Sequence, residues 1–383
     1  MAIALFDDRP RSDKGPAAYS ESDFAYLNRS ARNDVVLIRS VLEEWVGRYP
    51  AEHRAELITR FRSDDGWQHQ SAVFELFLYE LLTRLGCRPV IHGETAGGRR
   101  PDFHLTDSEN RQTILEATLV TGESKTDQGA RQRLRAVYDA INRIDSPNFF
   151  VGAEVRQHSD RPVPGRRLIA FLEQRLQAED PACGKSLEWT FSADGWEISL
   201  RALPKFPANR GRPGIRPLGY QFSGPQYIDS WTPLRDAIRH KAGRYGAFDV
   251  PYVIALNLVA DWPPDDIDIG QALFGEETFT FRTGGGEPVF GRKTDGAWIG
   301  PTGPRNTRNS AVLLVYGLRA WTLASVTATL YHHPWAQRRY EGPLSRLRRM
   351  SADGDHLVAH EGEPVYRLLD LPEGWPGPRD IQR

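Results

Sequence analysis

The stretch from Phe74 to Thr118 decides how this chain of 383 residues is read. It opens with Phe74-Glu75-Leu76-Phe77-Leu78-Tyr79-Glu80-Leu81-Leu82 and its first part closes on Leu85-Gly86. Phe74, Phe77, Leu78, Leu81, Leu82 and Leu85 recur at the spacing of one helix face, and Gly86 is a natural residue just past a helix end. Three shorter pieces follow: Arg88-Pro89-Val90-Ile91-His92, then Pro101-Asp102-Phe103-His104-Leu105 after a glycine turn, then Thr113-Ile114-Leu115-Glu116-Ala117-Thr118-Leu119-Val120. They are rich in Val, Ile, Phe and Leu and bounded by turn residues, so they read as strands.

Alternate residues of a strand share a face. Asp102 and His104 therefore point one way, and Phe103 and Leu105 the other. In the third piece Glu116 and Thr118 share a face, opposite Leu115, Ala117 and Leu119. Glu116 sits in a run with the composition of a central, doubly covered strand. A lone carboxylate there is costly, so it needs a cation, a proton or strong donors. Asp102 supplies a second acid from the neighbouring strand. Two adjacent carboxylates repel unless something positive lies between them, and a divalent metal is the usual solution. The competing reading is a structural pair satisfied by Arg99 or Arg100 folding back. His104 lies within reach of a metal-bound water, or is a hydrogen-bonded filler.

The order helix Glu75, Pro101-Asp102 at a strand start, then Glu116 on the next strand resembles the PD-(D/E)XK nuclease superfamily, the restriction-endonuclease-like fold. The resemblance spans about Gln68 to Val155. Its pattern ends in Glu-x-Lys, and here Thr118 stands where the lysine belongs. It implies an α/β fold with an αβββαβ core on a mixed sheet. The core's last two elements would be a helix at about Thr126–Ile144 and a strand at Asn148–Val155. A helical N-terminal extension over 1–66 would precede a nuclease-like core at 67–180, and an α+β region at 181–383 would follow it.

The resemblance further implies a Mg2+- or Mn2+-dependent endonuclease. Asp102, Glu116 and Glu75 would hold metal, and the substrate would be nucleic acid, DNA ahead of RNA, in restriction, repair or phage defence. A catalytically inactive descendant, acting as a nucleic-acid-binding or protein-interaction module, is the alternative that the missing lysine supports. The nearest replacement in sequence is Lys125, ahead of the following helix, with Gln128 and Arg131 as rivals. Lys241 falls near the end of a helix at Trp231–Tyr245, where the helix dipole alone explains a cation.

Net charge is −1, so nucleic-acid binding has to come from local patches. Six of the 49 Lys and Arg are lysines, which leaves an arginine-rich chain suited to phosphate recognition. Candidate contacts are Arg99 and Arg100, Arg210 and Arg212 in a Gly- and Pro-rich loop, and Arg305 and Arg308 in a polar loop. The five arginines between Arg338 and Arg349 read as a solvated face. Two cysteines, Cys87 and Cys183, have neither metal-ligand spacing nor a disulfide framework. With no signal-like or membrane-length apolar run, a cytoplasmic protein with no membrane partner is expected; a homo-oligomer stays open. Phosphate-binding glycine loops, dinucleotide fingerprints and hydrolase elbows are missing from the sequence.

Overall fold

The apolar steps of residues 74–85 wind into the helix they call for. In the computed structural model this helix, α4, runs Gly66–Arg84, with the Asp65 carboxylate accepting from Trp67 N–H at its start and Gly86 left-handed at its end (φ 86°). The structure describes residues 4–95, 98–121, 125–212, 215–221, 229–244, 246, 248–259, 264–280, 289–353 and 356–377. Ahead of α4 lie α1 (Asp23–Arg29), α2 (Asn33–Arg48) and α3 (Ala51–Phe61), the helical lead-in the sequence predicts. After it come β1 (Arg88–Ile91), β2 (Phe103–Thr106) and β3 (Gln112–Val120), as expected.

The next two elements, α5 (Lys125–Ile141) and β4 (Phe149–Gln157), are a helix and a strand as read from sequence, but they do not complete the same sheet. Two compact units divide the chain: Met1–Gly15, Ser22–Gly122 and Ile228–Arg383 form one, and Pro16–Glu21 with Glu123–Tyr227 the other. This division is discontinuous, whereas the sequence reading set continuous segments at 1–66, 67–180 and 181–383. The second unit contains α5, β4, α6 (Gly165–Gln177), β5 (Leu187–Ala193), β6 (Trp196–Pro204) and β7 (Leu218–Gln221). Its sheet has the order β5-β6-β4-β7, and its core joins Val137, Ile141, Leu168 and Leu172 to Val151, Ile198 and Leu200. The β5–β6 hairpin turns at Asp194-Gly195, both at positive φ (51° and 83°), as a tight two-residue turn demands.

The first unit resumes with α7 (Thr232–Arg244), β8 (Tyr252–Leu258) and α8 (Asp266–Phe274). Two small hairpins follow, β9 (Glu277–Thr280) with β10 (Val289–Arg292) and β11 (Ile299–Gly300) with β12 (Gly303–Pro304). Then come β13 (Ala311–Tyr316), β14 (Thr327–His332), β15 (Arg348–Asp353), β16 (His356–His360) and α9 (Val365–Leu368). Among the described residues one mixed sheet has the order β1-β2-β3-β8-β13-β14-β15-β16. β3 pairs antiparallel with β2 and parallel with β8, so β8 takes the place the sequence assigned to β4.

Both faces of this sheet are covered. On one, α1 to α4 and α9 pack Leu42, Trp45, Phe77, Leu81 and Leu368 against Leu115, Val253, Leu313 and Leu330. On the other, α7 and α8 pack Leu234, Ile238 and Leu273 against Ile114, Ile254, Leu256 and Leu314. Every residue of β8 is buried, the pattern of a strand enclosed on both sides. Among the described residues no helix is long and apolar enough to cross a membrane.

Candidate functional site

The β2–β3 register pairs Phe103 with Leu115 and His104 with Ile114. Continued by one residue it sets Asp102 opposite Glu116. Opposed residues of an antiparallel pair share a face, with Cβ atoms roughly 4.5–5.5 Å apart. The two acids expected from sequence therefore meet. Asp102 Oδ2 accepts the Ala117 N–H at 2.7 Å, which ties the carboxylate to the β3 backbone. Burial raises the Asp102 carboxyl above its ordinary 3.8, and the neighbouring Glu116 charge raises it further. The Ala117 N–H and Lys241 act the other way, and the more distant Glu75 charge again raises it.

Glu116 is fully buried, and its counter-charge comes from the same unit, from residues that follow the second unit in sequence. The Lys241 ammonium on α7 donates to Glu116 Oε2 at 2.8 Å, and Arg244 Nη1 stands 3.6 Å from the same oxygen. Lys241 is 9% exposed, whereas the Arg244 side chain is 54% exposed and lies at the mouth of the site. The expectation that Lys241 only serves the helix dipole is thus corrected. The sequence carried a signal for it. Leu234, Ile238, Lys241 and Ala242 form the buried stripe of α7, so a lysine occupies a position of the core-facing face.

Glu75 acts on the site through its charge but is held elsewhere. Tyr49 Oη donates to Glu75 Oε1, and Arg60 Nη2 to Oε2 at 2.7 Å. Burial together with the Glu75 charge keeps the Tyr49 phenol protonated, its ionisation pushed far upward. Glu80 belongs to a separate pair of ion contacts, with Arg48 at 2.7 Å and Arg84 at 2.8 Å. Thr118, half-buried, follows Glu116 on the same face, opposite Leu256 of β8. The Lys125 and Gln128 side chains, both candidate replacements for the motif lysine, lie outside the described residues.

Among the described residues no three His, Cys, Asp or Glu side chains gather as a ready metal cage. What the structure supplies is a two-carboxylate donor set. That set fits Mg2+, which is commonly bound through one or two carboxylates plus substrate phosphates and waters.

The expected nucleic-acid contacts divide. Arg99 is exposed, its guanidinium over Gly246, where an added Cβ would come within 3.2 Å of Nη1. Arg100 is exposed and 3.7 Å from Glu94. Arg305 and Arg308 are exposed on the loop leading into β13. In the second unit Arg210 instead ties its own loop together, donating to the carbonyls of Lys205 (3.0 Å) and Pro181 (2.8 Å). Arg212 is exposed. The cluster after Arg338 is not a bare solvated face: Arg346 makes a two-point ion pair with Glu363, and Arg338 donates to the Phe248 carbonyl.

No protein-family model, no curated protein and no solved structure matches this chain.

Proposed function

We propose that the first unit is a metal-dependent nuclease with a restriction-endonuclease-like core, in which Lys241 fills the role of the motif lysine that Thr118 lacks. One observation carries the reading. A buried lysine meets a buried glutamate on the sheet face that also holds Asp102, and the elements run α4-β1-β2-β3-α7-β8 once the second unit is passed over. That order is the αβββαβ order of the superfamily. Asp102 and Glu116 are the residues that would hold Mg2+ or Mn2+. A bound divalent ion lowers the pKa of its water and neutralises phosphate charge. Lys241 brings a positive group to the place where negative charge develops on the phosphate, and the protein has already positioned it. Arg244, which reaches the same Glu116 oxygen, and Arg99, which lies over Gly246, are exposed cations that suit backbone phosphates. DNA is the substrate the resemblance implies.

The purified chain, incubated with single- and double-stranded DNA and RNA, should cut one of them in Mg2+ or Mn2+ and none in EDTA. Lys241→Ala should lose cutting while binding persists. A second reading has its own support. Each acid with a resolved partner is already satisfied, Glu116 by Lys241 and Arg244, Glu75 by Tyr49 and Arg60. A binding module with a purely structural ion pair would look the same, and binding without cutting under every metal condition selects it.

A further inference from the structure

The face that carries Asp102 and Glu116 continues into a cleft. Its next residue on β2 is His104, and the preceding ones on β3 are Ile114 and Gln112. Together with Arg99, Phe248 and Asp249 they border a space of about 330 Å3. That size falls at the lower end of small-ligand pockets, roughly 300–1,000 Å3.

The floor is apolar: Ile114 is 1% exposed, and Phe248 and Val250 are half-buried. Phe248 is steadied by Tyr252, ring centroids 5.3 Å apart and planes tilted by 55°. The rim is polar and exposed. It presents two carboxylates, Glu94 and Asp249, the Arg99 guanidinium, and the Gln112 amide.

The rim mixes both signs, with Arg100 3.7 Å from Glu94, Arg338 3.4 Å from Asp249 and the Arg99 guanidinium in the lining. Such a rim suits a flat, uncharged group that offers amino hydrogens to the carboxylates and ring acceptors to the guanidinium. An amide such as Gln112 serves either edge of such a group, as it does with adenine. A nucleobase has this chemistry and an apolar face to lay on Phe248. The position fits as well. Two residues along a strand cover about 7 Å, so the cleft opens one base's reach from Glu116.

We propose that this cleft takes one unpaired base of the strand held at the acids, stacked on Phe248 and read at its edge by Gln112. The proposal rests on the nuclease reading, and it narrows the substrate to strands that present a free base. The base comes either from a single strand or from a duplex that releases it, where a mismatch lowers the cost of extrusion.

The test is equilibrium binding in EDTA, so that nothing is cut. The probes are oligonucleotides carrying one abasic site stepped along the strand, as single strands and as duplexes. At one position the missing base should cost the wild type about tenfold in affinity, the scale of one lost stacking contact. In Phe248→Ala that penalty should disappear, because the two deletions remove the same contact. Gln112→Ala, on the exposed start of β3, should weaken the preference for which base stands there. Coupling in single strands alone identifies an already free base. Coupling in mismatched duplexes as well identifies extrusion.

Abasic penalties that are equal in wild type and both variants, or absent at every position, overturn the proposal. If metal-dependent cutting persists in that case, only the cleft assignment fails. If the wild type neither binds nor cuts any nucleic acid, the nuclease reading falls with it.

Discussion

Lys241 and Glu116 stand 125 positions apart in sequence and 2.8 Å apart in space, joined by a hydrogen bond inside the protein. Glu116 is 1% exposed at its side chain and Lys241 11%, so neither charge can turn to water if the other is removed. A buried pair of this kind is costly to break, although replacing both partners is often neutral.

That asymmetry separates stability from catalysis. Lys241→Met alone should lower unfolding free energy by about 3–5 kcal/mol, the usual cost of stranding a buried charge. Glu116→Gln with Lys241→Met should recover most of it. Neither variant should cut nucleic acid. Denaturant titration of the single and double variants, with cleavage assayed in parallel, checks both halves. Recovered cutting in the double variant would remove the pair from the chemistry.

Asp102 gives a pH signature. Its folded-state carboxyl ionises above the ordinary 3.8, so between that value and its raised one the folded chain holds the extra proton. Stability on its account is therefore greatest below about pH 3.8 and falls as pH rises, and the deficit persists at neutrality. Asp102→Asn should raise the melting temperature at pH 7 and leave it unchanged at the acid end, while abolishing cutting. Equal shifts at both pH values would contradict the strain between the two acids.

The two acids of α4 should behave differently. Glu80 is bound to Arg48 and Arg84, whereas the charge of Glu75 is felt at Asp102. Glu80→Ala should cost about 1–3 kcal/mol in stability and leave cleavage intact. Glu75→Gln should change the metal concentration needed for half-maximal cutting, since it removes a negative charge near Asp102. A metal titration of both variants compares them directly.

His333 gives a second, independent pH signature. Its Nδ1 accepts from Trp335 N–H at 3.1 Å and its Nε2 lies 3.0 Å from the Arg305 carbonyl, an arrangement that suits the neutral ring with the proton on Nε2. Burial pushes it from 6.5 down to about 4. The stability it contributes is complete above pH 6.5 and is lost as pH falls toward 4, on the order of 3 kcal/mol in all. His333→Gln should flatten the stability profile across that window. An unchanged profile would place the acid sensitivity elsewhere.

Local signals carried the first half of this site. The apolar steps of α4 gave a helix, because their period is visible in a dozen residues. Strand alternation put Asp102 and Glu116 on one face, because three short strands joined by turns leave little choice of register. The partner of Glu116 was not legible in the same way, since the pairing spans the second unit. Nor was the identity of the strand beside β3. Phe149–Gln157 opens on an apolar run much like that of Tyr252–Leu258, and only nonlocal packing decides which of the two pairs with β3. The four strands of the two pairs at Glu277–Arg292 and Arg348–His360 are not legible in the sequence, because their exposed or charged faces mask the alternation.

The second unit also sets a clock on synthesis. β3 is complete when Val120 leaves the ribosome, yet its neighbour β8 starts only at Tyr252, after all of Glu123–Tyr227 has been made. At typical elongation rates that gap lasts on the order of ten seconds. During it the nascent sheet ends in an open edge bearing Ile114, Leu115, Leu119 and Val120, the kind of edge that recruits other chains. A chain stopped before α7 keeps that edge permanently. The order of the units along the gene therefore makes the arrival of residues 228–258 the step that closes the sheet and hides its most adhesive strand.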